Sequence, residues 1–366
     1  MTQKSIYILA GDGLGPEVCQ QVERIIDWLN VNKGTDFSYE NGLIGGASYD
    51  IYGDPLTKET LDTARNADAI LLGAVGGPKW DGKVERHNRP EMGLLKIRKE
   101  LDLFANLRPA VTFDALLDAS SLKPEVIKGL DLMIVRELTA GVYFGMPRGD
   151  DTLPDGTKRV IDTQSYTQAE IERVTNVAFD LAKKRGGLVH SVEKSNVMET
   201  GVFWRNVVTK IHEEKFSDIK LEHMYADNCS MQLVRTPKQF DVILTDNLFG
   251  DMLSDTAAMC TGSLGMLPSA SLGSEIDGKR LALYEPVHGS APDIAGQNIA
   301  NPCATILSFA MMLKYSFERS DLSDLIENAI QAVLSQGIRT ADIAKEGEVA
   351  VGTSNMGDAI IEALGV

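Results

Sequence analysis

Four short apolar runs punctuate this chain: Ile6-Tyr7-Ile8-Leu9, Ala69-Ile70-Leu71-Leu72, Leu132-Met133-Ile134-Val135 and Val242-Ile243-Leu244. A strand that alternates apolar with polar residues can leave one face in water, but a strand apolar throughout must be covered on both faces. The covering elements are also legible. After the first run a helix begins at Pro16-Glu17, with Val18, Val22, Ile25, Ile26 and Leu29 on one stripe. Further helical periods fall near residues 57–66, 167–185, 203–213 and 303–316. Apolar strands alternating with helices predict an α/β sheet, at least partly parallel and covered on both faces.

Two segments interrupt this rhythm. Residues 76–92 form a polar loop rich in Gly, Pro and charge, a candidate mobile lip. Residues 148–166 carry Pro154-Asp155-Gly156 between Val142-Tyr143-Phe144 and Arg159-Val160-Ile161, the pattern of a long β excursion or arm. No repeat or low-complexity tract is present.

The chain has 366 residues, enough for two domains or one large one. Its 36 Lys plus Arg against 52 Asp plus Glu give a net charge of −16, which argues against nucleic acid or an anionic membrane as partner. Small anionic ligands need only a local cationic pocket and are not excluded. Cys19, Cys229, Cys260 and Cys303 are far apart and lack a Cys-x-x-Cys spacing, so neither a disulfide nor a zinc framework is expected. The start of the chain has only about five apolar residues before Gly11-Asp12, too few for a secretory h-region. The uncharged stretch from Asn301 to Leu313 is too short to span a bilayer. The expected location is the cytoplasm.

Gly11-x-Gly13-x-Gly15 invites reading as a dinucleotide fingerprint. That spacing requires a further glycine at position 16, where Pro16 stands. Pro16 removes an amide donor, and Glu17 puts a carboxylate where a pyrophosphate would dock. A tight turn after a strand is the better reading.

Phe249-Gly250-Asp251-Met252-Leu253-Ser254-Asp255 places two carboxylates at i and i+4, on one helix face. They repel unless a cation intervenes, and oxygen-only ligands suit a hard divalent ion such as Mg²⁺ or Mn²⁺. Met252, Leu253, Ala257, Ala258 and Met259 predict that this helix is mostly buried, which weighs against two merely solvated carboxylates. Asp227 could complete the site, although spacing alone cannot place it there. Arg98, Arg108 and Arg136 occur in otherwise apolar contexts. A guanidinium at a strand end suits bidentate carboxylate recognition, yet taken singly each is more often a surface or salt-bridged arginine. On the helix of Arg98, Leu94 and Glu91 fall on the same face, offering a cation beside an aliphatic patch. Residues 285–296 form a loop of small residues broken by two prolines, either packed around a ligand or a structural Ω-loop.

With these residues in view, the chain resembles the β-decarboxylating dehydrogenases of 2-hydroxy acids, the isocitrate/isopropylmalate dehydrogenase family. The resemblance runs nearly end to end. It rests on Asn106-Leu107-Arg108-Pro109, Val135-Arg136-Glu137-Leu138-Thr139, Gly250-Asp251-Met252-Leu253-Ser254-Asp255 and residues 288–296.

The resemblance implies an isopropylmalate dehydrogenase-like two-domain α/β fold with a large mixed, mostly parallel sheet, not a Rossmann fold. It implies a discontinuous cofactor-binding domain of residues 1–103 plus 265–366, and a substrate and dimerisation domain of residues 104–264 with a β arm near 145–166. Arg98, Arg108 and Arg136 are then the clamp for the substrate carboxylates. Asp251 and Asp255 are metal ligands of one subunit, and Asp227 is the ligand from the other subunit of a homodimer with shared sites. Tyr143 and Lys194 are the acid/base pair. Glu91, Leu94, Leu95 and Val197 line the pocket for the isopropyl branch. His288, Gly289, Ser290, Ala291, Pro292, Asp293 and Ile294, with Asn301 nearby, wrap the adenosine half of the cofactor. Asp293 can accept hydrogen bonds from ribose hydroxyls and would repel a 2′-phosphate, which favours NAD⁺.

The reaction implied is NAD-dependent oxidative decarboxylation of 3-isopropylmalate to 4-methyl-2-oxopentanoate and CO₂ in leucine biosynthesis, with Mg²⁺ or Mn²⁺. The alternative substrates are D-malate or tartrate, homoisocitrate and isocitrate; polar or cationic residues at positions 91, 94 and 95 would favour them, and Leu94 with Leu95 speaks against them. A sensor without catalytic activity would have no need of both Tyr143 and Lys194.

Overall fold

The computed structural model describes residues 3–276 and 278–365. The chain divides into two compact units. The first comprises Met1–Leu103, Thr112–Lys128 and Ala258–Val366; the second comprises Phe104–Val111 and Gly129–Ala257. Thr112–Lys128 goes with the first unit although it interrupts the second in sequence. Ser120 Oγ donates to the Met259 carbonyl, and Asp118 accepts from Arg339 and Lys345, so this segment is tied to the C-terminal part of the chain.

The first unit holds a mixed, mostly parallel sheet in the order Phe37–Gly42, Lys4–Gly11, Ala69–Ala74, Lys279–Pro286, Pro268–Ile276. Only the last pair is antiparallel. The apolar runs behave as expected of strands covered on both sides. Tyr7 and Leu9 join Ile70, Leu72 and Leu283 in one core cluster with Leu61, Ala64 and Ile97, while Ile6 and Ile8, of opposite parity, are equally buried. The helix Cys303–Tyr315 is buried at every residue from Cys303 to Leu313, which explains its apolar character. No helix among the described residues is long and apolar enough to cross a membrane.

The second unit repeats the scheme in the order Ala105–Val111, Asp131–Glu137, Val242–Thr245, Leu188–Glu193, Lys220–Tyr225, with the first pair antiparallel and the rest parallel. Its helices include Gln168–Lys183, opened by a Thr167/Glu170 capping box, and Glu199–Lys215. The predicted β excursion is a two-stranded antiparallel hairpin, Gly145–Thr152 with Lys158–Thr163.

One expectation is corrected. The helix Asn247–Thr261 buries Leu253, Ala257 and Ala258, but Met252 is 62% and Met259 48% exposed. Residues seven apart share a helix face, so the apolar residues are split between an inward and an outward side. The run looked uniformly buried because hydrophobicity alone does not distinguish a core face from an exposed apolar one.

Candidate active site

Sheet register brings the polar residues of the second unit together. Asn106 lies opposite Arg136 in the antiparallel pair, and Arg108 is two residues further along its strand. Opposed residues share a sheet face, and so do residues two apart, so all three side chains emerge on one side. The helix Asn247–Thr261 follows the strand Val242–Thr245, whose Thr245 is the neighbour of Arg136 across the parallel pair. Asp246 precedes this helix and accepts from the Phe249 amide at 2.8 Å, satisfying one of the donors at the helix start. At Gly250 the helix passes so near the Arg136 stem that an added Cβ would sit 2.6 Å from its Cγ.

The resulting cluster centres on Asp251. Arg136 Nη1 donates to it, Arg108 Nη1 lies 3.3 Å away, and the Tyr143 hydroxyl donates to Oδ2 at 3.0 Å. Asp255, one turn on, is 3.9 Å from Arg108. Arg108 is further aimed by Asn106, which accepts from Nε at 2.8 Å, and by Ser254, which accepts from Nη1 at 2.6 Å. Arg136 stacks 5.7 Å from the Tyr143 ring. The two arginines are buried, Arg108 at 8% and Arg136 at 3% exposed.

Burial, then the charge of Asp251, raises the Tyr143 pKa and keeps the phenol protonated. Burial also raises the Asp255 carboxyl, with Arg108 opposing and Asp251 adding to the shift. Deeper in the unit, burial pushes Glu137 up to about 7 and Asp246 up to about 6.

Lys194 and Asp227 form a separate pair. Each follows the end of a strand, and those strands are parallel neighbours with Glu193 beside Tyr225, which brings Lys194 Nζ to 2.7 Å from Asp227. The hydrogen bond from Lys194 lowers the Asp227 pKa. Among the described residues no three His, Cys, Asp or Glu side chains are grouped to hold a metal ion, so Asp227 does not join Asp251 and Asp255 within one chain. Val197 is 72% exposed.

The remaining candidates belong to the first unit. Arg98 is buried on the helix Pro90–Glu100 and donates to buried Glu285. On the same helix Leu94 packs against the core cluster, Leu95 is half-buried, and Glu91 is exposed beside Gly76.

The glycine-rich turn is no phosphate cradle but a seat for the 288–296 loop. The Leu14 amide donates to the Ser290 carbonyl at 2.9 Å, and Glu17 accepts from the Gly296 amide. Gly13, at φ +59°, passes so near Ser290 that a Cβ would lie 2.0 Å from its carbonyl oxygen. Leu14 and Val18 pack with Ala300, Ala291 and Ile294. Asp12 faces the other way and accepts from the amides of Gly46, Ala47 and Gly76. Within the loop, His288 Nε2 is buried without a hydrogen-bond partner and burial lowers the ring's pKa; Asp293 is exposed. Asn301 donates to Asp342 at 3.1 Å.

The sequence reading assigned no role to Asn106, Asn247 or Ser254, nor to Asp12 and Glu17 as loop anchors. The signal for Asn247 was slight: an amide two residues after the strand Val242–Thr245. Ser254 and Asn106 lie inside motifs whose charged members drew the attention.

The donor sets fit the groups they were expected to hold. Asp251 and Asp255 offer only carboxylate oxygens, and their mutual repulsion is what a hard dication relieves. The unpaired His288 Nε2 and the Asp293 carboxylate offer polar atoms to a nucleoside.

Buried guanidinium groups on one face of a strand pair, with a phenol and paired carboxylates of the neighbouring turn and helix, suit an enzyme for carboxylate substrates. Comparison with known proteins narrows the class. Residues 5–360 match the model of the isocitrate/isopropylmalate dehydrogenase family. The chain is similar to a 3-isopropylmalate dehydrogenase from Rhodospirillum rubrum, 62% identical over 98% of this chain and 97% of that one. It is also similar to one from Paramagnetospirillum magneticum, 58% identical over 100% of this chain and 99% of that one. A crystal structure of isocitrate dehydrogenase from Methylococcus capsulatus superposes with TM-score 0.85 at 32% identity, covering 99% of each chain. The chain belongs to the isocitrate/isopropylmalate dehydrogenase family.

Proposed function

We propose that this chain catalyses the NAD-dependent oxidative decarboxylation of 3-isopropylmalate to 4-methyl-2-oxopentanoate and CO₂, a step of leucine biosynthesis in the cytoplasm. The observation that carries the reading is the Arg108, Arg136, Tyr143 and Asp251 cluster, within a chain 58–62% identical end to end to proteins named for that activity.

Arg98, Arg108 and Arg136 are the residues assigned to the substrate carboxylates; a planar fork matches a carboxylate better than a point charge does. Leu94, Leu95, Glu91 and Val197 receive the branched alkyl group. Asp251 and Asp255, with Asp227 of a second copy, would hold Mg²⁺ or Mn²⁺. The 288–296 loop and Asn301 hold the adenosine half of NAD⁺, and Asp293 selects against a 2′-phosphate. When bound, the dication would supply Lewis-acid polarisation of the substrate's alcohol, and NAD⁺ would serve as the hydride acceptor.

The chain's own residues move the protons. Lys194, directly or through a water, takes the hydroxyl proton, a role open to its neutral form. Loss of CO₂ from the β-keto acid leaves a carbanion at C3, and Tyr143, kept protonated by burial, protonates it. The guanidinium groups hold the remaining carboxylate throughout.

A homodimer is part of this reading. Met231 and Val234 on the helix Ala226–Arg235, Val202 and Phe203 on Glu199–Lys215, and Met252 all expose apolar side chains in the second unit. Such side chains suit a subunit interface, and Asp227 and Lys194 would then enter the partner's site. The first unit binds the cofactor, the second the substrate, and the 145–163 hairpin is the dimer arm.

The test is NADH formation by purified protein with Mg²⁺ and 3-isopropylmalate, D-malate, tartrate, homoisocitrate or isocitrate in turn. Turnover fastest with 3-isopropylmalate supports the reading; its absence overturns it. Faster reduction of NADP⁺ than of NAD⁺ would refute the role of Asp293. Mixed dimers of a Lys194→Ala and an Asp251→Asn chain should recover part of the activity, and no recovery would refute the shared site.

A further inference from the structure

Asn247 is completely buried and makes four hydrogen bonds from the first residue of the helix that carries Asp251. Its Oδ1 accepts from both Nε and Nη2 of Arg136, at 3.1 and 2.7 Å. Its Nδ2 donates to the Ala140 carbonyl at 2.9 Å, and its backbone amide donates to the Tyr166 hydroxyl at 2.9 Å. Ala140 immediately precedes the turn Gly141–Tyr143, whose tyrosine reaches Asp251.

We infer that Asn247 is a positioning residue that sets two groups at once: the plane of the Arg136 guanidinium, through its oxygen, and the turn presenting Tyr143, through its nitrogen. The inference rests on the functional reading above and deepens it. Gripping the Nε–Nη2 edge determines where Nη1 points, and Nη1 is the atom that donates to Asp251. Without the amide, Arg136 keeps its charge but loses the partner that orients it. The Ala140 link acts on a different step, because it holds the proton donor rather than the carboxylate clamp. A buried primary amide suits both tasks, since acceptor and donor lie on one rigid plane.

Two substitutions separate the two halves. Asn247→Asp retains the acceptor for Arg136 but has no donor for Ala140; Asn247→Ala removes both. Asn247→Asp should lower kcat by about 10-fold with KM for 3-isopropylmalate little changed, while Asn247→Ala should lower kcat/KM by about 100-fold through both terms, as expected for small misplacements of reacting groups. The Kd of NAD⁺ should stay at the wild-type value in both. Equal changes in kcat and KM in the two variants, tracking a fall in Tm, would overturn the inference, and so would wild-type kinetics in either. Should Asn247→Ala fail to fold, Asn247→Asp decides alone on the same kcat-against-KM split.

Wild-type turnover is measured first, so that failure of the functional reading is seen separately. In that event malonate is the probe of the Arg136 clamp. Binding weakened in Asn247→Ala and retained in Asn247→Asp supports the inference; equal binding in both overturns it.

Discussion

The Arg108 and Arg136 cluster and the 288–296 loop are held in different ways. Around Arg108 and Arg136 the ties run from side chain to side chain: Asn106, Asn247, Ser254 and Asp251 each take a guanidinium hydrogen. The loop is tied through its own backbone, by the Leu14 amide on the Ser290 carbonyl and by its Gly296 amide on the Glu17 carboxylate. Side-chain ties define a direction to a fraction of an ångström but depend on each residue's identity. The Leu14–Ser290 tie tolerates substitution of the residues that make it and depends instead on the absence of a Cβ at Gly13; only the Glu17 tie depends on a side chain. Groups proposed to meet charge in a reaction need the first kind of support, whereas a loop proposed to wrap a nucleoside can rely on the second.

The comparison is most exposed at Arg108. Arg108→Lys leaves the charge but cannot serve Asn106, Ser254 and Asp251 together, and kcat/KM for 3-isopropylmalate should fall by at least about 100-fold in steady-state assays. Near-normal turnover would show that direction is not what these ties supply.

Glu137 tests how far burial extends beneath the cluster. Its pKa stands higher in the folded chain than the ordinary 4.5, at about 7, because burial disfavours the charged form. Between those values the folded state binds the proton more tightly than the unfolded one, so this group's contribution to stability falls as pH rises and is level above about 7. In Glu137→Gln that slope should disappear. The stability of the variant relative to wild type should rise across the window by up to about 3 kcal/mol, read from urea unfolding at a series of pH values. A difference independent of pH would contradict it.

Gly250→Ala tests close approach. The new methyl must displace the Arg136 stem, and overpacking of this kind costs about 1–3 kcal/mol. A lowered Tm together with a raised KM for the malate, but an unchanged Kd for NAD⁺, is the expected result. The smallest effect is expected on the backbone-held side. Glu17→Ala removes one charged acceptor from the Gly296 amide and should weaken NAD⁺ binding by several-fold, about 1 kcal/mol, measured by calorimetry. If it proved as costly as Arg108→Lys, the contrast between the two regions would fail.

Much of this is legible in the sequence. The strands at residues 69–72 and 132–135 announced themselves because a sequence apolar at both parities has nowhere to go but between two layers. The arginines and aspartates stood out because charge in apolar surroundings is costly unless it is used or paired. Asn106, Asn247 and Ser254 did not stand out: neutral polar residues are common at strand ends and on helices, and nothing local marks the ones that touch a guanidinium. Met252 misled for the complementary reason, since an apolar residue carries no sign of which side of its helix meets the core.

Chain composition and order alone determined the α/β class, the covered strands, the absence of a nucleotide cradle at Pro16, and the residue types available for chemistry. Those properties follow from periodicity and from the bonding capacity of each side chain, which are local. Only tertiary structure decided that Asn106 faces Arg136 across two strands, that Lys194 pairs with Asp227, and that a glycine turn seats a loop nearly 280 residues away, separated by 279 positions between Glu17 and Gly296. Such contacts depend on strand register and on the packing of distant segments, and neither is written in any short stretch of the chain.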